Sequence, residues 1–497
     1  MPASRRAFLA AAAAPAILRP AAQRNRPNIL FAIADDQSFP HTSAMGDPVV
    51  KTPAFDRVAQ SGVLFRNGFC PAPQCAPSRA ALLTGRNIWQ LEEAGTHASL
   101  FPRKFDVYTA MLERAGYHVG LTGKGAGPCN FKDGGWPHNP AGKPYDARTL
   151  EPPQLIDDND YAANFADFLA ARPKDAPFCF WFGSHEPHRG YRKGSGRAAG
   201  KRIEDVVVPP FLPDNEEIRS DLLDYFLEIE YFDRQLARHV ALLEKSGQLE
   251  NTLVVVTADN GMSFPHSKAR MYDHGWHVPL AMSWPARVPG GRRVDDLVSF
   301  TDFAPTYLEA AGIARPAAMV GKSLVNLLTS RREGIVEPGR DAVVAGRERH
   351  SHARFDNLGY PARAIRTRRH LYIRNFAPDR WPAGDPPLFA DIDDGPSKRY
   401  LMGRQTDPLH GAGFARQPAH EFFDIAADPG CLNNLAGSPA HKKEMETHRA
   451  RLEKLLAAQG DPRMRGSAIF DSYPRYSAMK PALGGFAERG KYNPKYK

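Results

Sequence analysis

Four short apolar runs in this chain each end in residues that can do chemistry. Residues 28–33 lead into Asp35 and Asp36, and 117–121 lead into Gly123 and Lys124. Residues 177–182 lead into His185 and His188, and 252–257 into Asp259 and Asn260. Carboxylates, an amide, a lysine and imidazoles are the groups that hold cations, neutralise anions and move protons. Continuous apolar runs bounded by turn residues suit strands buried on both faces of a parallel sheet. Ligands of open α/β sheets collect beyond the C-terminal ends of such strands. Random placement of ionisable residues would not favour that edge, so one composite site is expected there.

The segments between these runs must supply the scaffold. From Glu216 to Lys245, Leu222, Phe226, Ile229, Phe232, Leu236, Val240 and Leu243 recur at three- and four-residue steps, which predicts a long amphipathic helix. A short loop at 246–248 then leads into the strand at Thr252. Alternating strands and helices predict an α/β fold with a parallel sheet. After about residue 345 Pro, Gly and Arg become frequent. Residues 364–366, 371–374 and 421–424 read as short strands and 441–459 as a helix, together a smaller α+β subdomain. The tail from Gly460 is rich in Gly, Pro and Tyr, and no internal repeat is present.

Composition narrows the class. The 497 residues are 42% hydrophobic and 24% charged, enough for a sizeable core and against wholesale disorder. No apolar run reaches the roughly 18 residues of a membrane span, so no integral membrane segment is expected in the mature protein. Lys plus Arg is 65 against 55 for Asp plus Glu, a net +10. That mild, dispersed excess suits an anionic substrate and gives no ground for a nucleic-acid partner. Five cysteines cannot form a disulfide framework in so long a chain. At the start, Ser4-Arg5-Arg6-Ala7-Phe8-Leu9, an apolar stretch to Leu18 and small residues at 20–22 resemble a twin-arginine signal. The expected organisation is a signal segment at 1–22, a catalytic domain at 26–345, and a C-terminal subdomain and tail at 346–497. Export would be through the twin-arginine machinery to the periplasm or outside. That route carries folded proteins, so any modification of a cysteine precedes it in the cytoplasm.

The most specific string is Cys75-Ala76-Pro77-Ser78-Arg79, followed by Leu83-Thr84-Gly85-Arg86. With Asp35-Asp36 upstream and Asp259-Asn260 downstream, it resembles the type I, formylglycine-dependent sulfatase family from about residue 25 to 436. The resemblance implies an alkaline-phosphatase-like α/β fold. Its large, mixed and mostly parallel sheet is sandwiched by helices, and the C-terminal α+β subdomain carries a short antiparallel sheet. It also implies that Cys75 is oxidised to formylglycine by a formylglycine-generating enzyme, with Pro77 and Ser78 serving recognition by that enzyme. A hydrated aldehyde has one hydroxyl to attack sulfur and a second to expel sulfate, so one hard step becomes two easier ones.

The resemblance further makes Asp35, Asp36, Asp259 and Asn260 metal ligands, joined by residue 75 itself. Three converging carboxylates without a cation would raise one another's pKa. An all-oxygen set favours a hard ion, Ca²⁺ in this family with Mg²⁺ as the other candidate. Arg79 would hold the diol, and Lys124 and Lys268 match sulfate-binding lysines. His188 matches the proton donor to the leaving group, with His185 beside it. Where the family commonly reads Gly-Lys-x-His, this chain has Gly123-Lys124-Gly125-Ala126, so the histidine that would face the nucleophile is missing. His274 or His277 is the expected substitute.

Asp259 to Pro265, residues 185–189 and residues 208–213 look most like the N-sulfoglucosamine sulfohydrolases, which favours a sulfated carbohydrate. Arg347, Arg349, His350 and His352 are candidates for shaping the sugar pocket, His350 as a substrate contact. Residues 189–202 carry six Lys or Arg that could steer a polyanion. Three other readings stand beside this one. They are a carbohydrate O-sulfatase or arylsulfatase, a formylglycine-dependent phosphonate or phosphodiester hydrolase, and a glycan-binding protein without catalysis.

Overall fold

The computed structural model describes residues 26–354 and 357–476. The signal-like segment and the last residues of the tail lie outside the described residues. The first nine strands form one sheet: β1 (Asn28–Ala34), β2 (Val63–Phe69), β3 (His118–Gly123), β4 (Lys143–Pro144), β5 (Phe178–Gly183), β6 (Thr252–Ala258), β7 (His277–Ser283), β8 (Arg292–Val294) and β9 (Val298–Ser299). The order is β4-β3-β5-β1-β6-β7-β2-β8, with β9 also on β2. Every pairing is parallel except those of β7 with β6 and β2. β1, β5 and β6 are buried along their whole lengths, which is why their sequences run apolar without alternation.

Three helices position the site and its flanking subdomain: α1 (Cys75–Thr84), α2 (Glu216–Lys245) and α3 (Lys442–Ala458). α2 spans the residues predicted from its periodicity. Its N-cap Asn215 accepts from the amides of Glu217 and Ile218, and Leu222, Phe226, Ile229 and Leu236 are buried. α1 is buried on all sides and ends on Gly85 at φ 62°, a left-handed C-cap. The Gly85 position tolerates no larger residue easily, since a Cβ would lie 3.2 Å from Met319.

A second, antiparallel sheet runs β10 (Ala342–Arg347), β11 (Ala362–Thr367), β12 (His370–Asn375) and β13 (His420–Asp424) in sequence order. α3 packs on it through Met445, His448, Leu452 and Leu456. Its first strand begins at Ala342. No helix among the described residues is long and apolar enough to cross a membrane.

Candidate active site

The sheet order explains the site. β3, β5, β1 and β6 are consecutive neighbours, so the residues beyond their ends are brought side by side. Ala34 pairs with Ala258, and the Asp259 amide donates to the Ala34 carbonyl at 3.1 Å. On the other flank, the Ser184 amide donates to Ile33 and the Lys124 amide to Gly183. Asp36 sits at φ 70°, an uncommon conformation for a residue with a side chain, and its amide donates to Asp259 Oδ1 at 3.1 Å.

α1 brings residue 75 to this edge. Cys75 is the first residue of the helix and is buried. Ser78 Oγ donates to the Asp259 carbonyl at 2.7 Å, and Arg79 Nε to Asp259 Oδ2 at 2.7 Å. Arg79 Nη1 holds the carbonyls of Lys124 and Gly125 at 2.6 and 3.0 Å. The Cys75–Arg79 string thus has a second role, since Ser78 and Arg79 clamp helix α1 to the ends of β6 and β3. Arg79 Nη2 is buried and has no hydrogen-bond partner among the described residues.

Lys124 Nζ pairs with Asp35, and Lys268 Nζ pairs with both oxygens of Asp36. Burial acts to raise the Asp35 carboxyl, but Lys124, His188, Arg79 and Lys268 outweigh it and hold it well below the usual carboxylate range. Asp259 is raised, first by burial and then by the Asp35 charge. Asp35 Oδ1 and Asn260 Oδ1 are buried without a hydrogen-bond partner among the described residues. One atom each of Asp35, Cys75 and Asp259 lie within 4.8 Å of one another. Orphaned oxygens among carboxylates fit a hard divalent cation held by Asp35, Asp36, Asp259 and Asn260.

His188 Nδ1–H donates to the Arg189 carbonyl at 2.5 Å, which aims Nε2 at Asp36 Oδ2, 3.7 Å away. His185 is more exposed, 3.9 Å from Asp157. Both line a cavity of about 630 Å³ with Asp35, Lys124, Asp157 and Glu228. His350 lies 3.4 Å from Asp391.

The structure puts neither His274 nor His277 in the place of the missing histidine. His277 Nε2 is at the Arg66 carbonyl (2.9 Å), and its ring is stacked between Phe39 and Phe69. His274 is half-buried, its ring edge-on to Phe211, with its backbone carbonyl taken by Ser38 and Ser267. His97 stands beside residue 75 instead, with Nε2 3.2 Å from Cys75 Sγ. Burial, then His350, Arg475, Lys124 and Lys268, hold its imidazole well below the ordinary histidine value, hence neutral. Ala126 is wholly buried, its amide on Asn139 Oδ1.

Sequence reasoning also missed Asp393, which accepts from Ser263 Oγ at 2.9 Å and lies 3.6 Å from Lys268. It stands in an irregular segment with no periodicity to mark it. Arg347 and Arg349 are fully buried rather than solvated, Arg347 paired with Asp391 and Arg349 donating to Ser99 and the Tyr473 carbonyl. In the basic stretch, Arg189 is paired with Asp221, Arg197 with Glu216 and Lys201 with Glu230, which leaves less charge for steering than its composition suggests.

These features coincide with a known family. Residues 27–313 match the sulfatase family model, more than half of the chain, and the chain belongs to the sulfatase family, the hydrolases of sulfuric esters. It is 29% identical over 448 residues to an ulvan-active sulfatase of Formosa agariphila, covering 88% of this chain and 81% of that protein. It is 28% identical over 476 residues to the human N-sulphoglucosamine sulphohydrolase, covering 88% and 92%. Among solved structures, BT4656 in complex with its substrate D-glucosamine-2-N,6-O-disulfate superimposes with a TM-score of 0.65 at 21% identity, covering 88% of this chain and 98% of that one. The fold is the alkaline-phosphatase-like one expected.

Proposed function

We propose that this enzyme removes sulfate from a sulfated carbohydrate, with an N-sulfated glucosamine as the leading substrate, and that residue 75 acts as formylglycine. The observation that carries the reading is Cys75 at the N-terminus of a buried helix, facing paired carboxylates with orphaned oxygens. Burial pushes the Cys75 thiol up to about 11, so as a plain cysteine it would be protonated and a weak nucleophile near neutrality. As formylglycine it would supply a hydrated aldehyde, whose hydroxyls attack sulfur and later release sulfate. A divalent cation, Ca²⁺ being favoured by the oxygen set, would lower the pKa of that diol and polarise a sulfate oxygen.

The chain's own residues do the rest. Lys124 and Lys268 carry positive charge beside Asp35 and Asp36, where the sulfate is most anionic. His188 Nε2 gives a proton to the departing nitrogen or oxygen of the sugar. His97 Nε2 takes the proton from residue 75. The wide cavity beside His185 and His188 has room for a sugar unit. The names of the two relatives support a sulfated glycan over a simple aryl ester. The twin-arginine-like start supports export after Cys75 is modified in the cytoplasm.

The test is sulfate release by the matured protein from N-sulfoglucosamine, 6-O-sulfated N-acetylglucosamine, an aryl sulfate and an aryl phosphate diester, with formylglycine verified by peptide mass. Release from N-sulfoglucosamine is expected. Release from the O-sulfate alone would replace the substrate and keep the mechanism, and faster cleavage of the phosphate diester would overturn the reading.

A further inference from the structure

Helix α2 carries a row of acids, Asp221, Asp224 and Glu228, at three- and four-residue steps, so the three share one face. All are buried. The first two hold the chain that follows His188. Asp221 accepts from both Nη groups of Arg189, at 2.8 and 2.7 Å, and from the Ser397 amide at 3.1 Å. Asp224 accepts from the amides of Gly194 and Gly196, each at 2.8 Å. Glu228 is one turn further on. Among the described residues its carboxyl makes no hydrogen bond and no ion pair. It is 4% exposed, and it lines the cavity beside His185 and His188.

The other acids of this cavity wall are occupied. Asp35 is paired with Lys124. Asp157 accepts from the Asn159 amide at 2.9 Å. Glu186 accepts from the Asp157 amide at 2.9 Å on one oxygen, and from the Tyr161 and Ser184 hydroxyls at 3.2 and 2.5 Å on the other. Arg189 is forked on Asp221, its guanidinium against the rings of Tyr191 and Phe264. It therefore leaves Glu228 without a partner cation. Burial, then the Glu186 charge, push the Glu228 carboxyl up to about 9 against the pull of Arg189. Near neutral pH it is an uncharged acid that can both donate and accept. A buried polar group without a partner is costly, and few are retained. A sugar hydroxyl, itself donor and acceptor, matches this group. It also brings no charge to a wall that already holds Asp157 and Glu186.

We propose that Glu228 is a specificity residue of the site, hydrogen-bonding a hydroxyl of the sugar whose sulfate is removed. The inference deepens the sulfated-carbohydrate reading above and rests on it. It gives the third acid of the α2 row a ligand where the first two have the chain itself.

The experiment uses the full chain, with formylglycine verified in every preparation. Sulfate release is measured on D-glucosamine N-sulfate and on 6-O-sulfated N-acetylglucosamine, together with inhibition by inorganic sulfate. Glu228→Leu, close in size and unable to hydrogen-bond, should lower kcat/KM on the sugar that is cleaved by about tenfold, chiefly through KM. Glu228→Gln, which can still donate and accept, should recover most of the loss. Inhibition by inorganic sulfate should be unchanged, because Lys124 and Lys268 are untouched. Tm should not fall, because leucine replaces a buried group that has no partner. A Glu228→Leu value within about threefold of wild type overturns the inference. So does an equal loss in Glu228→Gln, or a loss accompanied by weaker sulfate inhibition and a lower Tm, which marks a structural role. Those results leave the sulfatase reading intact. A wild type that releases sulfate from neither sugar defeats that reading and the inference with it.

Discussion

Replacing His97 with glutamine tests the arrangement at the nucleophile most directly. Glutamine keeps a polar side chain of similar reach but cannot take up a proton at neutral pH. In the wild type the imidazole is 3.2 Å from the side chain of residue 75, inside hydrogen-bond reach of a hydroxyl on that residue. It is half-buried, with Nδ1 shut away from solvent, and its pKa is held below the ordinary histidine value, which favours the neutral state a base requires. A positioned general base contributes about 10² to 10⁴ in rate, so His97→Gln should lower kcat by about 10²-fold or more, equivalent to about 2.7 kcal/mol of barrier. KM should change little, because the substitution leaves Lys124 and Lys268, the proposed sulfate-binding lysines, untouched. The assay is sulfate release, with formylglycine content measured by mass on the same preparation. The pH profile gives a second readout. A base works only when deprotonated, and the His97 value lies below the ordinary 6.5. The wild-type acid limb therefore falls below pH 6.5, and His97→Gln should lose the limb while free imidazole restores rate to His97→Ala. A glutamine variant within about threefold of wild type at equal formylglycine content would refute the assignment.

Two further outcomes arise from burial and charge. His239 and His266 are lowered to about 4 and His274 to about 3, in each case chiefly by burial. Their folded values lie below the unfolded value of about 6.5, so the unfolded chain gains protons first as pH falls. The contribution of these histidines to stability should be flat above pH 6.5 and fall from there towards pH 4, and His274→Gln should change the slope by about one proton per molecule. The slope is read from denaturant midpoints between pH 7 and 4, and an unchanged slope would show that the His274 ring titrates normally. Calcium should raise Tm more at pH 7 than at pH 5, because Asp259 is raised to about 6 and its proton competes with the ion at the lower pH. Equal shifts at the two pH values would place the ion away from Asp259.

The edge of the sheet is legible in the sequence because it depends on local pattern. β1, β3, β5 and β6 are short apolar runs, and the chemistry begins within a few residues of each strand end, so Asp35, Lys124, His188 and Asp259 stand out from sequence alone. The long helix α2 is legible for the same reason, its buried positions recurring with the helical period. Antiparallel β7 is not, because its hydrogen-bonding direction is set by tertiary pairing with β2 and β6 and leaves no mark in composition. Asp393 is invisible there because it sits in irregular chain between β12 and β13, brought against Ser263 and Lys268 only by the docking of the C-terminal part of the chain.

His97 is the instructive miss. Ala126 marks a lost histidine, but the motifs near the strand end at Asp259 point to the wrong substitutes. The physical demand is narrower than a motif. A base must reach the first residue of α1 from a neighbouring segment, and that residue is flanked by two of them, the loop after β3 and the chain leading from α1 to β3. The first is drawn onto Asn139, with the Ala126 amide bonded there and Gly125 packed so closely that a Cβ would meet the Asn139 side chain at 2.5 Å. Glycine and alanine there offer no side chain that can take a proton. The second is held by backbone bonds from His97 to Arg349 and from Ala98 to Pro128, which point the imidazole at residue 75. His274 and His277 share the right residue type but come after β6 on the far side, where aromatic packing and backbone carbonyls occupy them. A loss at one position of a site is compensated by whichever segment shares the same atom's surroundings, and sequence proximity to a motif is a poor guide to that neighbour.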